Sequence, residues 1–388
     1  MKKEIQISDA VKNLIIIQKT FGFGTQAADI VYRALSEQKL LEFNMEKAVA
    51  QLKADAKYIS ALKEYNTKSA QKVIDDCIEN DIKILSILDD KYPEILKNIH
   101  QPPLVLYFKG ELPLFDENPS ICIVGPRKAS EYGLKAAYSL GYRMAKSGMI
   151  VVSGGALGCD SAAHKGALKA KGSTVAVLGC GIGNSYLSKN KELRDEIAAS
   201  NCIISEFPPF MSVKRFSFPV RNRILSGLCD ATVVVEASEE SGALITARHA
   251  NDQGREVFVI PGNPSLECYK GSNKLLRDGA TPLIEAADIF NEYILHYPDK
   301  IDIKRAYETE INAVDEKKET NNKKIQKKSV EGLSNEAKIV YNNLNRQSFT
   351  ADDITCADLT DDEILSALTE LEIEHFIAAI PGGSYIIV

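Results

Sequence analysis

The sequence predicts an α/β protein: a doubly wound parallel sheet, preceded by helices and followed by a small winged-helix unit. Three observations carry this. Apolar runs at 120–124, 149–153, 174–178, 202–205, 231–236 and 256–260 alternate with helical stretches near 131–147, 160–171, 242–253 and 271–278. Such alternation argues a parallel sheet. The runs IVV, TVAV, TVVV and VFVI are apolar throughout, as strands covered by helices on both faces are. Gly125, Gly154, Gly179, Glu236 and the pair Pro261-Gly262 all fall at the carboxyl ends of those strands, where open α/β sheets bind their ligands.

Taken in order, residues 1–75 read as a helical unit: DAVKNLIIIQKTF, TQAADIVYRALSEQ, MEKAVAQLK, YISALKEYN and SAQKVIDDCIEND each repeat apolar residues at helical spacing. FGFGT between the first two is either a hairpin turn approaching a phosphate or, the reading favoured, a packing turn. The apolar LIII is too short for a leader or a spanning helix, so a cytoplasmic protein with no membrane contact is expected. The sheet-bearing core is placed at 76–290, entered through LVLYFKG after the helix-breaking Pro93, Pro102 and Pro103. Residues 291–332 include DEKKETNNKKIQKKS, a lysine-rich flexible linker without periodicity. In 333–388, Ser334 caps a helix, a short helix is expected near 351–354, and Thr360 with Glu363 caps a third. A hairpin turning at Pro381-Gly382-Gly383 completes a winged helix.

Charge separates these parts. The chain carries a net −6, yet residues 333–388 hold 2 basic and 10 acidic side chains, while 120–285 hold 20 basic and 15 acidic. Local charge decides whether phosphate is attracted, so the middle suits a polyanion and the tail does not. A DNA-reading third helix should be basic; this one bears Asp361, Asp362, Glu363 and Glu370, which favours a protein-contact role. The eight cysteines form no C-x-x-C pair, and neither a zinc site nor a disulfide framework is expected.

Candidate binding residues cluster at the strand ends. Gly125, Arg127 and Ser130 form a strand–loop–helix corner suited to phosphate, with the Arg127 guanidinium able to grip it bidentately. Gly154 and Gly155 repeat the corner after the next strand. KRFSFPVRNR supplies Lys214, Arg215, Phe218, Arg221, Asn222 and Arg223; basic residues with interleaved aromatics suit single strands bound without sequence preference. One of Phe216 and Phe218 is expected in the core, and one arginine could pair with Glu236. Ser241 and Gly242 open a further helix, with Thr246 one turn on.

Rival signals are weaker. GCGIGNSYLS, with Glu206 about twenty residues on, imitates a dinucleotide fingerprint, but Asn184 stands where Gly or Ala is needed. Asp160, Ser161 and His164 could form a hydrolytic triad; their crowding at one helix start favours a structural role. No carboxylate pair or metal cluster marks nuclease chemistry.

GPRKASEYG at 125–133, SGGALGCDSAAHKGAL at 153–168, TVAVLGCGI at 174–182, SEFPPF at 205–210, FPVRNRILSGL at 218–228, VVVEASEESGALITARHA at 233–250 and VFVIPGN at 257–263 occur in one order. Together they resemble the DNA-processing protein A family (DprA, also called Smf). Pro126 stands where the family usually has Ser or Thr, Cys159 replaces Ile, and Leu187 stands where Pro often follows Tyr. The resemblance implies an extended Rossmann-like core, a dimer formed through it, and no catalytic residue, cofactor or metal. It also implies a protein that binds and protects incoming single-stranded DNA and helps load the RecA recombinase during natural transformation. The alternative is a nucleotide phosphoribohydrolase or other nucleotide-binding enzyme on the same sheet; GALIT replaces the Pro-Gly-Gly-x-Gly-Thr loop such an enzyme would carry.

Overall fold

The computed structural model describes residues 8–34, 67–185, 190–307, 333–344, 348–350, 354, 359–374, 376–380 and 384–387. The chain divides into two compact units, residues 1–309 and 310–388. The first is built on nine strands: β1 Lys83–Ser86, β2 Val105–Gly110, β3 Ser120–Val124, β4 Ile150–Ser153, β5 Thr174–Leu178, β6 Cys202–Ser205, β7 Ala231–Val234, β8 Glu256–Val259 and β9 Thr281–Pro282. Their order is β1-β2-β6-β5-β4-β3-β7-β8-β9. From β6 to β9 neighbours run parallel, whereas β2 pairs antiparallel with both β6 and β1. The chain winds outward from β3 in one direction, then returns to lay β7 on its other side. The β3–β7 boundary is therefore the topological switch point, the expected place for a ligand.

Residues on alternate faces of the strands feed two cores, as the period of two requires. Ile121, Ile123 and Val151 pack with Ala137, Leu140 and Met144 of α5 (Glu131–Lys146) and Ala163 and Ala167 of α6 (Cys159–Lys169). Cys122, Val124, Val152, Val175 and Val177 face the other way. They meet α8 (Ser217–Gly227) through Ile224 and Leu225, and α9 (Ala243–Asp252) through Ala247 and Ala250. Close approach of α5 and α6 depends on glycine: a Cβ on Gly141 would strike the Ala163 carbonyl, and one on Gly166 the Tyr138 carbonyl. The other described helices of this unit include α1 (Asp9–Phe21), α2 (Gln26–Ala34), α3 (Thr67–Glu79), α4 (Glu94–Lys97), α7 (Lys191–Ser200), α10 (Glu267–Arg277) and α11 (Ala286–Tyr293).

Two expected boundaries move. The described N-terminal helices share the core of the sheet: Leu14, Ile15, Ile17, Val73 and Ile74 belong to the same buried cluster as Val105, Val175 and Ile204. Gln18, 2% exposed, fixes the join, donating to the Val105 and Glu206 carbonyls at 3.1 and 3.0 Å and accepting from the Val105 N–H at 2.9 Å. The helices expected at MEKAVAQLK and YISALKEYN lie outside the described residues. At the other end the linker does not begin at 291. Tyr293, Ile301 and Ala306 are buried in the α5–α6 side of the core, so ordered packing continues to Tyr307; residues 308–332 lie outside the described ones.

In the second unit α12 (Asn335–Asn343) is capped by Ser334, and α13 (Asp361–Ile373) by the reciprocal Thr360–Glu363 box. Strands β10 (Ser348–Thr350), β11 (Ile377–Ile380) and β12 (Ser384–Ile387) form a sheet ordered β10-β12-β11. Leu333, Val340, Tyr341, Leu368 and Leu371 fill its core. Residues 351–353, where most of a short helix was expected, and the 381–383 turn lie outside the described residues. No described helix of the chain is long and apolar enough to cross a membrane.

Candidate nucleic-acid interface

At the switch point the loop after β3 meets the end of β7 through one hydrogen-bond network. Ser130 ends the loop and caps α5, its hydroxyl accepting from the Gly133 N–H at 2.9 Å. The same hydroxyl and the Ser130 N–H donate to the two carboxylate oxygens of fully buried Glu236, each at 2.7 Å. The Tyr269 hydroxyl of α10 lies 3.3 Å from the Ser130 hydroxyl. A Cβ on Gly133 would sit 2.6 Å from the Glu236 carboxylate. Ser130 is thus spent on holding the loop, and Glu236 takes a serine rather than the arginine that could have paired with it.

The strand-end glycines also serve the protein's own side chains. The space beside Gly125 holds the Cys159 thiol, and that beside Gly154 holds the Arg221 guanidinium and the Asp160 carboxylate. Gly155 adopts φ +64°, which a side chain would strain. All three glycines were expected against phosphate; Gly125 and Gly154 instead admit neighbours from α6 and α8, and Gly155 lies against Ala176 and Leu178 of β5.

Helix α8 explains the arginines. It begins at Ser217, so Arg221 and Arg223 lie well inside it and both are buried. Arg221 donates to the carbonyls of Gly154, at 2.9 Å, and Val177. Burial pulls its pKa down, and the nearby Asp160 carboxylate works against that. Arg223 grips Glu206 bidentately at 2.7 and 2.9 Å, with side-chain exposures of 5% and 1%. It also donates to the Gln101 carbonyl. Asn222 bonds Arg221 and the Gly242 carbonyl. The expected phosphate roles of Arg221, Asn222 and Arg223 give way to this internal network. Thr246 is 1% exposed on α9, the half-buried Ser241 accepts from the Ala243 N–H through its hydroxyl, and Gly242 is exposed.

The exposed members form a surface. Arg127, Lys214 and Arg215 are exposed, and Phe216 is 48% exposed. The Arg127 guanidinium lies over the Phe218 ring, 4.9 Å from its centroid. Lys214 stands 5.8 Å from the Phe216 centroid. Phe218 is half-buried, and a Cβ on Gly179 would come within 3.0 Å of an atom of its ring. Phe210, 50% exposed beside Gly183, adds an aromatic that the sequence reading passed over; its signal was a lone phenylalanine after Pro208-Pro209.

The rival sites dissolve on contact with the geometry. Gly181 and Gly183 bond the backbone of Met211 and Pro209, and a Cβ on Gly181 would strike the Pro208 and Pro209 carbonyls. That loop cradles protein, and Glu206 is taken by Arg223. Gly24, φ +60°, lies against the Arg223 guanidinium, and the Phe23 ring packs tilted against Phe207 with centroids 4.9 Å apart, so FGFGT is a packing turn. Ser161 donates to the Ala156 carbonyl, while fully buried His164 bonds the Thr174 hydroxyl at 2.8 Å through Nδ1. The two are not aligned as nucleophile and base. Among the described residues no group of three His, Cys, Asp or Glu side chains could hold a metal ion.

His164 gives a pH-dependent prediction. Burial, helped by the Arg221 charge, pushes its pKa from 6.5 down to about 3. Between those values the unfolded chain binds a proton that the folded chain does not, so stability is full above about pH 6.5 and falls as pH drops toward 3. Near pH 5 this group alone should cost about 2 kcal/mol relative to pH 7. Urea unfolding at both pH values should show a correspondingly smaller loss for His164→Gln. Equal losses in both proteins would contradict it.

Comparison with known proteins adds the following. The family model described as DNA recombination-mediator protein A matches residues 83–294. The DNA processing protein DprA of Bacillus subtilis is 39% identical over 214 residues, 55% of this chain and 72% of that protein. The X-ray structure of DNA processing protein A from Streptococcus pneumoniae aligns with TM-score 0.66 and 30% identity, covering 74% of this chain and 99% of that one. A Helicobacter pylori DNA processing protein A structure, described as giving insight into a unique single-stranded DNA binding mode, aligns with TM-score 0.51 and 29% identity. It covers 56% of this chain and 97% of that one.

Proposed function

The chain belongs to the DNA recombination-mediator protein A family, and from that premise we propose that it binds single-stranded DNA across the exposed rim around Arg127 and Phe218. The observation that carries this is the Arg127 guanidinium over the half-exposed Phe218 ring, with Lys214, Arg215 and Phe216 beside it. A cation for the backbone and an aromatic face for a base are what a sequence-tolerant single-strand site needs. In the fuller reading the protein works in the cytoplasm without enzymatic turnover, protects incoming single strands during transformation and passes them to the RecA recombinase. It does so as a homodimer joined through the sheet-bearing core.

Competition of unlabelled single strand and blunt duplex against a labelled single strand tests the binding mode. Single strand should compete far better, since stacking needs unpaired bases, and affinity should fall as salt rises. Equal competition by duplex would sink the proposal. Hydrolysis of nucleoside monophosphates, measured beside it, would instead support the phosphoribohydrolase alternative. Glu236, the carboxylate ahead of the SGALITA turn, is fully buried and held by Ser130, which does not favour that reading.

The second unit yields a further expectation. The −8 balance of its residues 333–388 repels a polyanion. Deleting residues 333–388 should leave single-strand affinity within a few-fold, or raise it slightly, while RecA loading or self-association changes. A band shift of duplex DNA by the intact chain that is lost on this deletion would show that fold analogy, not charge, was the better guide.

A further inference from the structure

Between α5 and α6 lies an open groove of about 720 Å³, within the size range of ligand sites. Its sides include Leu134, Lys135 and Tyr138 of α5, Leu157 and Gly158 just before α6, and Lys165 within α6. Tyr138 is 40% exposed, and both lysines are exposed. Lys135 reaches Glu131 at 2.8 Å, but both ends of that pair stand in solvent, where such pairs contribute little and yield readily to another anion. The groove borders the loop that carries Arg127. Gly158 takes φ +81°, and a Cβ there would strike the Pro126 and Arg127 carbonyls, so its bare backbone lies directly against the Arg127 loop. The Cys159 N–H, next in line, donates to the Pro126 carbonyl.

We infer that a single strand held at Arg127 and Phe218 continues past Gly158 into this groove, where Tyr138 stacks on a base and Lys135 and Lys165 neutralise phosphates. The inference rests on the proposed single-strand function and extends its footprint onto a second helix pair. An exposed aromatic, two cations, apolar lining and a place beside the Arg127 loop are the composition of a single-strand track. Apart from solvent-exposed Glu131, the described groove wall presents no exposed carboxylate, which suits a polyanion better than a basic protein partner.

The test uses the full chain and oligothymidylates of two lengths, about six and about twenty nucleotides, bracketing the footprint of a compact single-strand site. For the longer strand, Tyr138→Ala should weaken binding about ten-fold, while Tyr138→Phe stays near the parent. Lys165→Ala should flatten the dependence of log affinity on log salt by about 0.7 on the longer strand, one phosphate's worth. The shorter strand, satisfied at Arg127 and Phe218, should change less than about two-fold in all three, because one compact site already holds it. Unchanged binding of both lengths by Tyr138→Ala and Lys165→Ala would overturn the inference and leave the groove to a protein partner. Equal losses on both lengths would overturn it too, since Tyr138 would then act through the Arg127 loop. A parent that binds neither length fails the proposed function itself; a parent that binds both beside variants without effect fails this inference alone.

Discussion

Arg223→Ala is expected to destabilise the sheet-bearing unit by about 3–5 kcal/mol, the range for stranding one member of a buried ion pair. Glu206 is 1% exposed and receives both of its short bonds from Arg223. Without the guanidinium its carboxylate is left uncompensated. The loss spreads further, because Arg223 also supports Gly24 of the α1–α2 turn and the Gln101 carbonyl. Removing both charges together, as Arg223→Met with Glu206→Leu, should recover much of the stability, since an apolar pair of similar volume replaces a desolvated one. Urea unfolding of the full chain reads both. A single-variant loss below about 1 kcal/mol, the scale of an exposed pair, would mean that the pair is solvated.

Arg127→Ala is expected to act on affinity and not on the fold. Its side chain is exposed, so stability should barely move. Single-strand affinity should fall by about 1.5–3 kcal/mol, the range for a charge-assisted hydrogen bond. Phe218→Ala should cost a comparable about 1–3 kcal/mol, the contribution of one stacked base. The two changes should add to less than their sum, because the guanidinium and the ring touch and contacting residues couple. Arg221→Ala offers the contrast: buried against the Gly154 carbonyl, it should unfold the protein at lower denaturant before any binding defect is measurable. Full affinity in a folded Arg127→Ala protein, measured at low salt, would remove Arg127 from the site.

The central strands were legible because burial on both faces leaves an unbroken apolar run, and the Gly-terminated runs at 120–124 and 174–178 emerge unchanged as β3 and β5. The helix caps at Ser130, Ser334 and Thr360 were legible for the same local reason: a short polar side chain precedes an apolar period. What failed was direction. KRFSFPVRNR shows six charged or aromatic residues, but only the start of α8 at Ser217 decides that Lys214 and Arg215 remain outside while Arg221 and Arg223 turn inward. That start has no side-chain cap to announce it. Glu206 and Arg223 are 17 residues apart, and Gln18 meets Val105 across 87; no local spacing encodes either contact. The glycines misled differently. Glycine reports that something comes close, not whether it is a ligand or the thiol of Cys159.

The most direct measurement uses the absence of tryptophan from the chain. Phe218→Trp places one indole under Arg127 and makes it the only such fluorophore. Titration with unlabelled single strand, with binding followed independently by anisotropy of a labelled strand, should quench that emission as a base stacks on the ring. Blunt duplex at the same concentration should leave it unchanged. Saturating single-strand binding with no change in indole emission would contradict the account, because the strand would then be held somewhere other than the Arg127–Phe218 rim.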